Sequence, residues 1–344
     1  MKPIFHKQHK KSPVIGTVKK QSLARKELLV PIAWIISGAL FPTVVMAVYY
    51  FGQAAAVIIA ISIGTALLSE IAIQWLLKKP LTISDGNAFL IGLLFPLLIP
   101  ASVPAGIPAL GSFSAILISR LLFNRLDFML FNPVLIGSTL VLFAFPSLLT
   151  TFVEPGIRAL DSSDVVTSTP LMILKEHGMS GLLEIYHTKA SLYIELFLGN
   201  RAGGLGETSV AALLLGAGFL MYKKYITWHL PVAYIASVGL FAWIFGGNEG
   251  FFTGDPFFHM LSGSLILCAL FITTPVLTGP YVPVARIAFG IGCGALTVII
   301  RLKGTYSEGA PFAILIMNCF SPLLDRLAQS SLFEKFRFGL IGQK

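Results

Sequence analysis

The sequence predicts an all-α integral membrane protein with about ten transmembrane helices in two inverted five-helix repeats. Three observations carry this expectation. Of 344 residues, 55% are hydrophobic and 12% charged, with a mean hydropathy of +0.82, whereas a soluble domain needs nearer 25% charge to cover its surface. The apolar residues fall into ten runs, and a helix needs about 20 such residues to cross a bilayer core. One long connection, residues 152–205, separates five runs from five. Composition excludes both a water-soluble globule and a disordered chain.

In chain order the runs are 29–50, 54–77, 86–100, 105–123, 133–151, 206–222, 227–246, 257–274, 284–302 and 310–326. The third is short, interrupted by Pro96 and closed by Pro100 and Pro104. It reads as a broken or re-entrant segment, which survives at membrane depth only when buried in protein or facing a cavity. Ahead of the first run, residues 1–28 form a basic tail with Lys2, Lys7, Lys10, Lys11, Lys19, Lys20, Arg25 and Lys26. The following apolar run is too long for a secretory signal and lacks a small-residue cleavage site. The positive-inside rule accounts for the tail, so anionic membrane lipid is the expected partner and nucleic acid is not.

With the N-terminus in the cytoplasm, ten spans return the tail 327–344 to the same side. That side then collects nineteen of the 25 Lys and Arg, and the outer side ten of the 16 Asp and Glu. The first repeat covers 29–151 and the second 206–326, with 152–205 as an outer, periplasmic loop. An odd number of spans per half forces the halves into opposite orientations. Traces of the repeat are visible. Gly86 opens a proline-punctuated run leading to Pro108 and Arg120, as Gly263 opens one leading to Pro283 and Arg301. Asn132-Pro133 begins the last span of the first half, and Asn318 and Pro322 lie in the last span of the second. Inverted repeats with broken helices in matching positions place a site at the midplane between halves.

Three places could hold chemistry. Residues 161–171 form a polar segment ending Thr167-Ser168-Thr169-Pro170-Leu171. Alone, it reads as a helix start capped by Thr169, with proline at the first helical position. The second is Gly199-Asn200 through Gly206-Glu207-Thr208-Ser209. Glycine-rich backbone before a helix can cradle a phosphate, and a capped helix start with Glu207 in its first turn explains the pattern equally. The third is Glu70, eight residues before Lys78 and so about 12 Å inside the span. An intramembrane carboxylate is an ion ligand or proton relay by default; the alternative is a Glu paired with a neighbouring helix. Asp85, at the mouth of the third run, is a lesser candidate of the same kind.

Several motifs resemble one family. They are Ser84-Asp85-Gly86-Asn87-Ala88, Phe131-Asn132-Pro133-Val134-Leu135-Ile136-Gly137, Leu198-Gly199-Asn200 with Gly203 and Gly206-Glu207-Thr208-Ser209, and His259-Met260-Leu261-Ser262-Gly263. Phe289-Gly290-Ile291-Gly292-Cys293-Gly294 running to Arg301, and Glu308-Gly309 with Met317-Asn318, complete the set. In this order, over residues 80–326, the chain resembles RnfD, the membrane subunit of Rnf ferredoxin:NAD oxidoreductase complexes. It is more distantly similar to the B-type component of the sodium-pumping NADH:quinone reductase.

The resemblance implies a urea-transporter-like fold in a bacterial inner membrane, inside a redox-driven ion pump with flavin and iron–sulfur subunits as partners. It further implies FMN carried through a phosphoester on an outer threonine, added by a flavin transferase. Thr169 is that threonine by its Pro170-Leu171 context, with Thr167 as the fallback. Gly206, Glu207 and Thr208 become a wall of the flavin site, and Glu70 and Asp85 an ion path. A second, non-covalent flavin belongs to the same expectation. The chain departs from the family pattern at Val166, where Ser or Thr stands three residues before the modified Thr, and at Thr274, where an acid is frequent. A non-redox permease or a structural anchor on the same fold is the competing reading.

The cysteines Cys268, Cys293 and Cys319 form no CxxC pair, and no histidines have metal-ligand spacing beside a carboxylate, so no metal is expected. Nothing in the chain reads as a catalytic residue or as a site for ferredoxin or NAD.

Overall fold

A computed structural model of the chain describes residues 32–121, 131–156, 167–247, 250–274, 279–280 and 282–329. The basic tail 1–28, the polar residues 161–166 with Val166, and the tail from 330 lie outside the described residues. Those described form helices and two isolated β-bridges, with no strand among them. Three helices are long and apolar enough to cross a membrane: α1 (Ile32–Leu76), Pro283–Lys303 and Ala310–Gln329. Shorter apolar helices span Asn87–Leu98, Gly106–Leu121, Pro133–Ala144, Val210–Tyr222 and His229–Phe245.

The 45 residues of α1 are two helices. Gly52 has φ +62° and ψ −140°, a conformation that favours glycine. Trp34 donates its indole N–H to the Ser84 carbonyl at 3.0 Å, and Gln74 bonds Thr82 Oγ1 at 2.7 Å. In a straight helix, forty residues would hold Trp34 and Gln74 about 60 Å apart. Both instead meet the same short segment, so the chain reverses at Gly52. Tyr50, beside the reversal, donates to the Leu198 carbonyl at 3.2 Å, and its own carbonyl accepts Gly156 N–H at 2.9 Å. The reversal therefore faces the segment 152–205, at the end of the bundle opposite Trp34 and Ser84.

Further elements are broken. Helix α2 (Asn87–Leu94) gives way to a 3-10 turn at Pro96–Leu98 and then to extended backbone at Ile99. There the chain pairs with the approach to a later helix: Leu205 N–H donates to the Ile99 carbonyl and Gly206 N–H to the Leu97 carbonyl, at 3.0 and 2.8 Å. Leu97, Ile99 and Leu205 are fully buried, so this irregular backbone is satisfied inside the protein. After α3 (Gly106–Leu121) and α4 (Pro133–Ala144), whose end precedes Pro146, a short α5 (Pro146–Leu149) leads into the long connection.

Among its described residues the connection carries two helices. Helix α6 (Pro170–Tyr186) is kinked at Gly178, with φ +69°, and α7 (Lys189–Leu198) starts in a Thr188–Ser191 capping box.

The second half runs α8 (Val210–Tyr222), α9 (His229–Phe245), α10 (Pro256–Leu261), α11 (Leu265–Leu267) continuing as a π-turn at Cys268–Ile272, α12 (Pro283–Lys303) and α13 (Ala310–Gln329). The break between α10 and α11 falls at Ser262-Gly263-Ser264, with Gly263 at φ +69°. A small apolar cluster of Leu171, Ile173, Leu182, Leu192, Leu196 and Phe258 seats α6 and α7 on α10. Asn132 N-caps α4 through Val134 N–H and donates to the Ile272 carbonyl at 3.0 Å. That single side chain ties the start of α4 to the end of the π-turn. One continuous core, from Ala33 to Ile314, joins both halves.

Candidate functional site

Thr169 is the N-cap of α6. Its hydroxyl accepts Met172 N–H at 3.3 Å, and the residue is 5% exposed. Its carbonyl accepts Ile173 N–H at 3.0 Å. Thr167 stands two residues earlier, its N–H bridging to the Phe152 carbonyl at 3.0 Å. Its Oγ1 is buried without a partner among the described residues. Thr167 and Ser168 line a cleft of about 650 Å³, together with Tyr186, Asn200 and Arg201. This volume lies within the roughly 300–1,000 Å³ usual for small-molecule sites. Arg201 forms the buried base of the cleft, where burial lowers its pKa and Glu207 is the strongest opposing influence.

The break between α10 and α11 is satisfied by charged groups from distant parts of the chain. Arg201 Nη2 donates to the carbonyls of Glu207 and Leu261 at 3.0 and 3.1 Å. Arg301, in the last turn of α12, donates to the carbonyls of His259 and Ser262 at 2.6 and 2.8 Å. Glu308 Oε2 accepts Ser264 N–H at 3.2 Å and Ser264 Oγ–H at 2.8 Å. Cations thus meet the carbonyl end of α10 and an anion meets the N–H end of α11, as the helix dipoles favour. Beside the break, Glu207 and Glu308 line a smaller cavity of about 160 Å³, with Leu98, Thr139, Met172 and Ser264.

The three residues expected to wall the flavin site are therefore distributed. Glu207 faces the smaller cavity. Thr208 Oγ1 donates to the Leu205 carbonyl at 3.0 Å, and Gly206 is pressed against Leu97, which a Cβ would overlap. Thr167, in contrast, lines the larger cleft, and Thr169 lies two residues further on, buried and next to the lining residue Ser168.

Glu70, at the opposite end of the bundle, is fully buried and paired. Arg120 Nε bonds Oε2 at 2.7 Å, and Arg120 Nη2 lies 2.5 Å from Oε1. Gln74 donates to Oε1 as well, and Thr82 reaches it at 3.5 Å. Asp85 lies 3.9 Å from the same Nη2 and caps Asn87 N–H at 2.9 Å. Among the described residues no cluster of three or more His, Cys, Asp or Glu is arranged to hold a metal. Sequence alone does not single out Arg201 and Glu308 as site residues. The signal they carry is a charge within two residues of a glycine at the approach to an apolar helix, where neither a cap nor a topology rule needs one.

Helices broken at buried depth, one break closed by backbone N–H groups and the other by charges from distant parts of the chain, define an α-helical integral membrane protein whose interior is built to hold polar groups. The particular family follows from comparison with known proteins. The model of the NQR2, RnfD, RnfE family matches residues 18–334, and the chain belongs to that family. It is 42% identical over 298 residues to the D-type component of the proton-translocating ferredoxin:NAD(+) oxidoreductase complex of Clostridium ljungdahlii, covering 87% of this chain and 89% of that one. It is 34% identical to the Na(+)-translocating counterpart of Acetobacterium woodii, covering 86% and 87%. It is 32% identical to the D-type component of the ion-translocating oxidoreductase complex of Stutzerimonas stutzeri, covering 85% and 88%.

Proposed function

We propose that this chain is the D-type membrane component of an Rnf-type ion-translocating electron-transport complex, carrying FMN as a phosphoester on Thr169. The observation that carries the reading is the placement of Thr169: a hydroxyl at a helix N-terminus, one residue from a cleft large enough for a cofactor. A phosphoester there gains from the N–H groups and dipole of α6. The Thr167 Oγ1, without a partner among the described residues, fits the same group, either as its neighbour or as the attachment point. When bound, FMN supplies acceptance of one or two electrons. The chain's own part is to hold the tether, shield the cleft and supply its charge.

The fold in this reading is two inverted five-helix repeats of urea-transporter type. The segment 152–205 lies on the outer face of a bacterial inner membrane and both termini are cytoplasmic. Support comes from Arg120 and Arg301, which end α3 and α12 at opposite ends of the bundle, and from Gly86 and Gly263, both left-handed ahead of broken helices. Glu70, Asp85 and Arg120 form the polar step through which a cation or proton enters from the cytoplasmic end. Flavin and iron–sulfur subunits are the electron partners, and a flavin transferase matures the chain.

The test is in-gel fluorescence of the denatured protein, co-expressed with a flavin transferase, for wild type, Thr169→Asn and Thr167→Val. Asn keeps the helix cap while removing the hydroxyl. A bright wild-type band that vanishes in Thr169→Asn supports the reading. Loss only in Thr167→Val moves the attachment by two residues. A dark wild-type band beside a bright control flavoprotein turns the reading to a permease or an anchor. Acid-extractable flavin in the same preparation measures the second, non-covalent flavin.

A further inference from the structure

The cleft beside Thr167 has a cation at its base whose position the reading above leaves unused. Arg201 is 4% exposed and forms part of the cleft wall. Its Nη2 is committed to two carbonyls, but its Nε–H has no partner among the described residues. No described carboxylate lies within 4 Å of its guanidinium. A buried, incompletely paired guanidinium is costly to keep. The acids of the cleft stand elsewhere, with Glu154 and Glu184 exposed at its mouth and Glu195 half-buried. The cleft is thus acidic at the rim and cationic at the base. Such a rim repels a freely diffusing anionic nucleotide. A ring delivered on a covalent tether meets no such barrier.

We propose that Arg201 binds the electron-accepting ring of the flavin carried on Thr169 and holds the negative charge which that ring gains on reduction. This inference rests on the FMN reading. Two electrons and one proton convert the oxidised ring to its anionic hydroquinone. The electrons come from the donor protein of the complex, or in the test from dithionite, and the proton from water. A guanidinium at the base of the cleft favours that anion over the neutral oxidised ring by a charge-assisted contact.

The experiment is a dithionite titration of the full-length, flavinylated chain, followed by flavin absorbance, with covalent flavin measured in gel on the same samples. Arg201→Gln weakens the preference for the reduced ring about tenfold, a fall of about 30 mV in a two-electron couple. Arg201→Lys restores most of it. Arg201 also supports two backbone carbonyls, so Gln can fail to fold. Asn200→Asp covers that outcome, because Asn200 is exposed, lines the cleft and makes no hydrogen bond among the described residues. Its added carboxylate lowers the potential in the same direction. A bright band whose potential is unmoved in Asn200→Asp, and in Arg201→Gln where that folds, overturns the inference and leaves the FMN reading standing. A dark wild-type band overturns the FMN reading, and the inference with it.

Discussion

Arg120 Nε donates to Glu70 Oε2 at 2.7 Å across fifty residues of chain, and Arg120 Nη2 meets Oε1 at 2.5 Å. The pair fastens the second arm of α1 to the end of α3, and through Asp85 to the mouth of α2. Glu70 is fully buried, whereas the Arg120 side chain is 26% exposed. Removing one partner of a fully buried pair costs about 3–5 kcal/mol. Here Arg120 can turn to water or to Asp85, so Glu70→Ala is expected to cost about 2 kcal/mol, and Glu70→Gln less. Thermal unfolding in detergent reads this directly, and a Glu70→Ala variant that melts like wild type would show the pair to be worth no more than a surface one.

Much of the helical content is legible in the apolar runs, because a run of that length has few alternatives in a bilayer. Pro96 announces the break in α2, and Thr169-Pro170 announces the start of α6. The run 257–274 reads as one span, yet the structure breaks it at Ser262–Ser264. No proline marks that place. The break depends on Gly263 at φ +69° and on Arg201, Arg301 and Glu308, which arrive from distant parts of the chain. The kink in α6 is hidden for a similar reason, since Gly178 looks locally like any helix-weakening glycine. Glu70 is readable as either an ion ligand or a paired acid, and only the fold brings Arg120 to it.

Two glycines of α8 separate close approach from simple flexibility. A Cβ on Gly216 would overlap the Ala39 carbonyl of α1, while Gly218 has open space around it. Gly216→Ala is expected to cost about 1–3 kcal/mol by overpacking this crossing. Gly218→Ala is expected to be neutral or to stabilise by up to about 1 kcal/mol, because glycine is the poorer helix former. Melting temperatures that move in opposite directions would establish the crossing; equal behaviour would contradict it.

Tyr193 donates to Asp255 Oδ2 at 2.5 Å, joining α7 to the cap of α10, where Asp255 also accepts Phe258 N–H at 3.0 Å. Burial first, and then the Asp255 carboxylate, raise the Tyr193 phenol well above its ordinary value of 10. A raised pKa means the folded state holds this proton more tightly than the unfolded one. The contribution is therefore complete below about pH 10 and declines as pH rises above it. Tyr193→Phe is expected to cost about 1 kcal/mol at about pH 8. The gap in melting temperature between wild type and variant should narrow between about pH 10 and 11, and a gap independent of pH would disprove the assignment.

Arg301 shows why the two arginines that end α3 and α12 are not interchangeable in role. Arg120 meets a single carboxylate through two contacts and is partly exposed, so a lysine there keeps the ion pair while losing one hydrogen bond. Arg301, 3% exposed, spreads two donors over two backbone carbonyls, those of His259 and Ser262. The planar fork of a guanidinium reaches both at once, and a lysine ammonium on a flexible stem does so poorly. In Arg301→Lys one buried carbonyl at the end of α10 is left unsatisfied, at a cost of about 1–3 kcal/mol. Arg120→Lys keeps its ion pair and loses less. The comparison can be made by thermal unfolding, with hydrogen exchange at the amides of 262–266 reporting whether the break itself loosens. If Arg301→Lys leaves both unchanged, the break between α10 and α11 is held by Glu308 and the surrounding apolar packing, and the guanidinium is not what closes it.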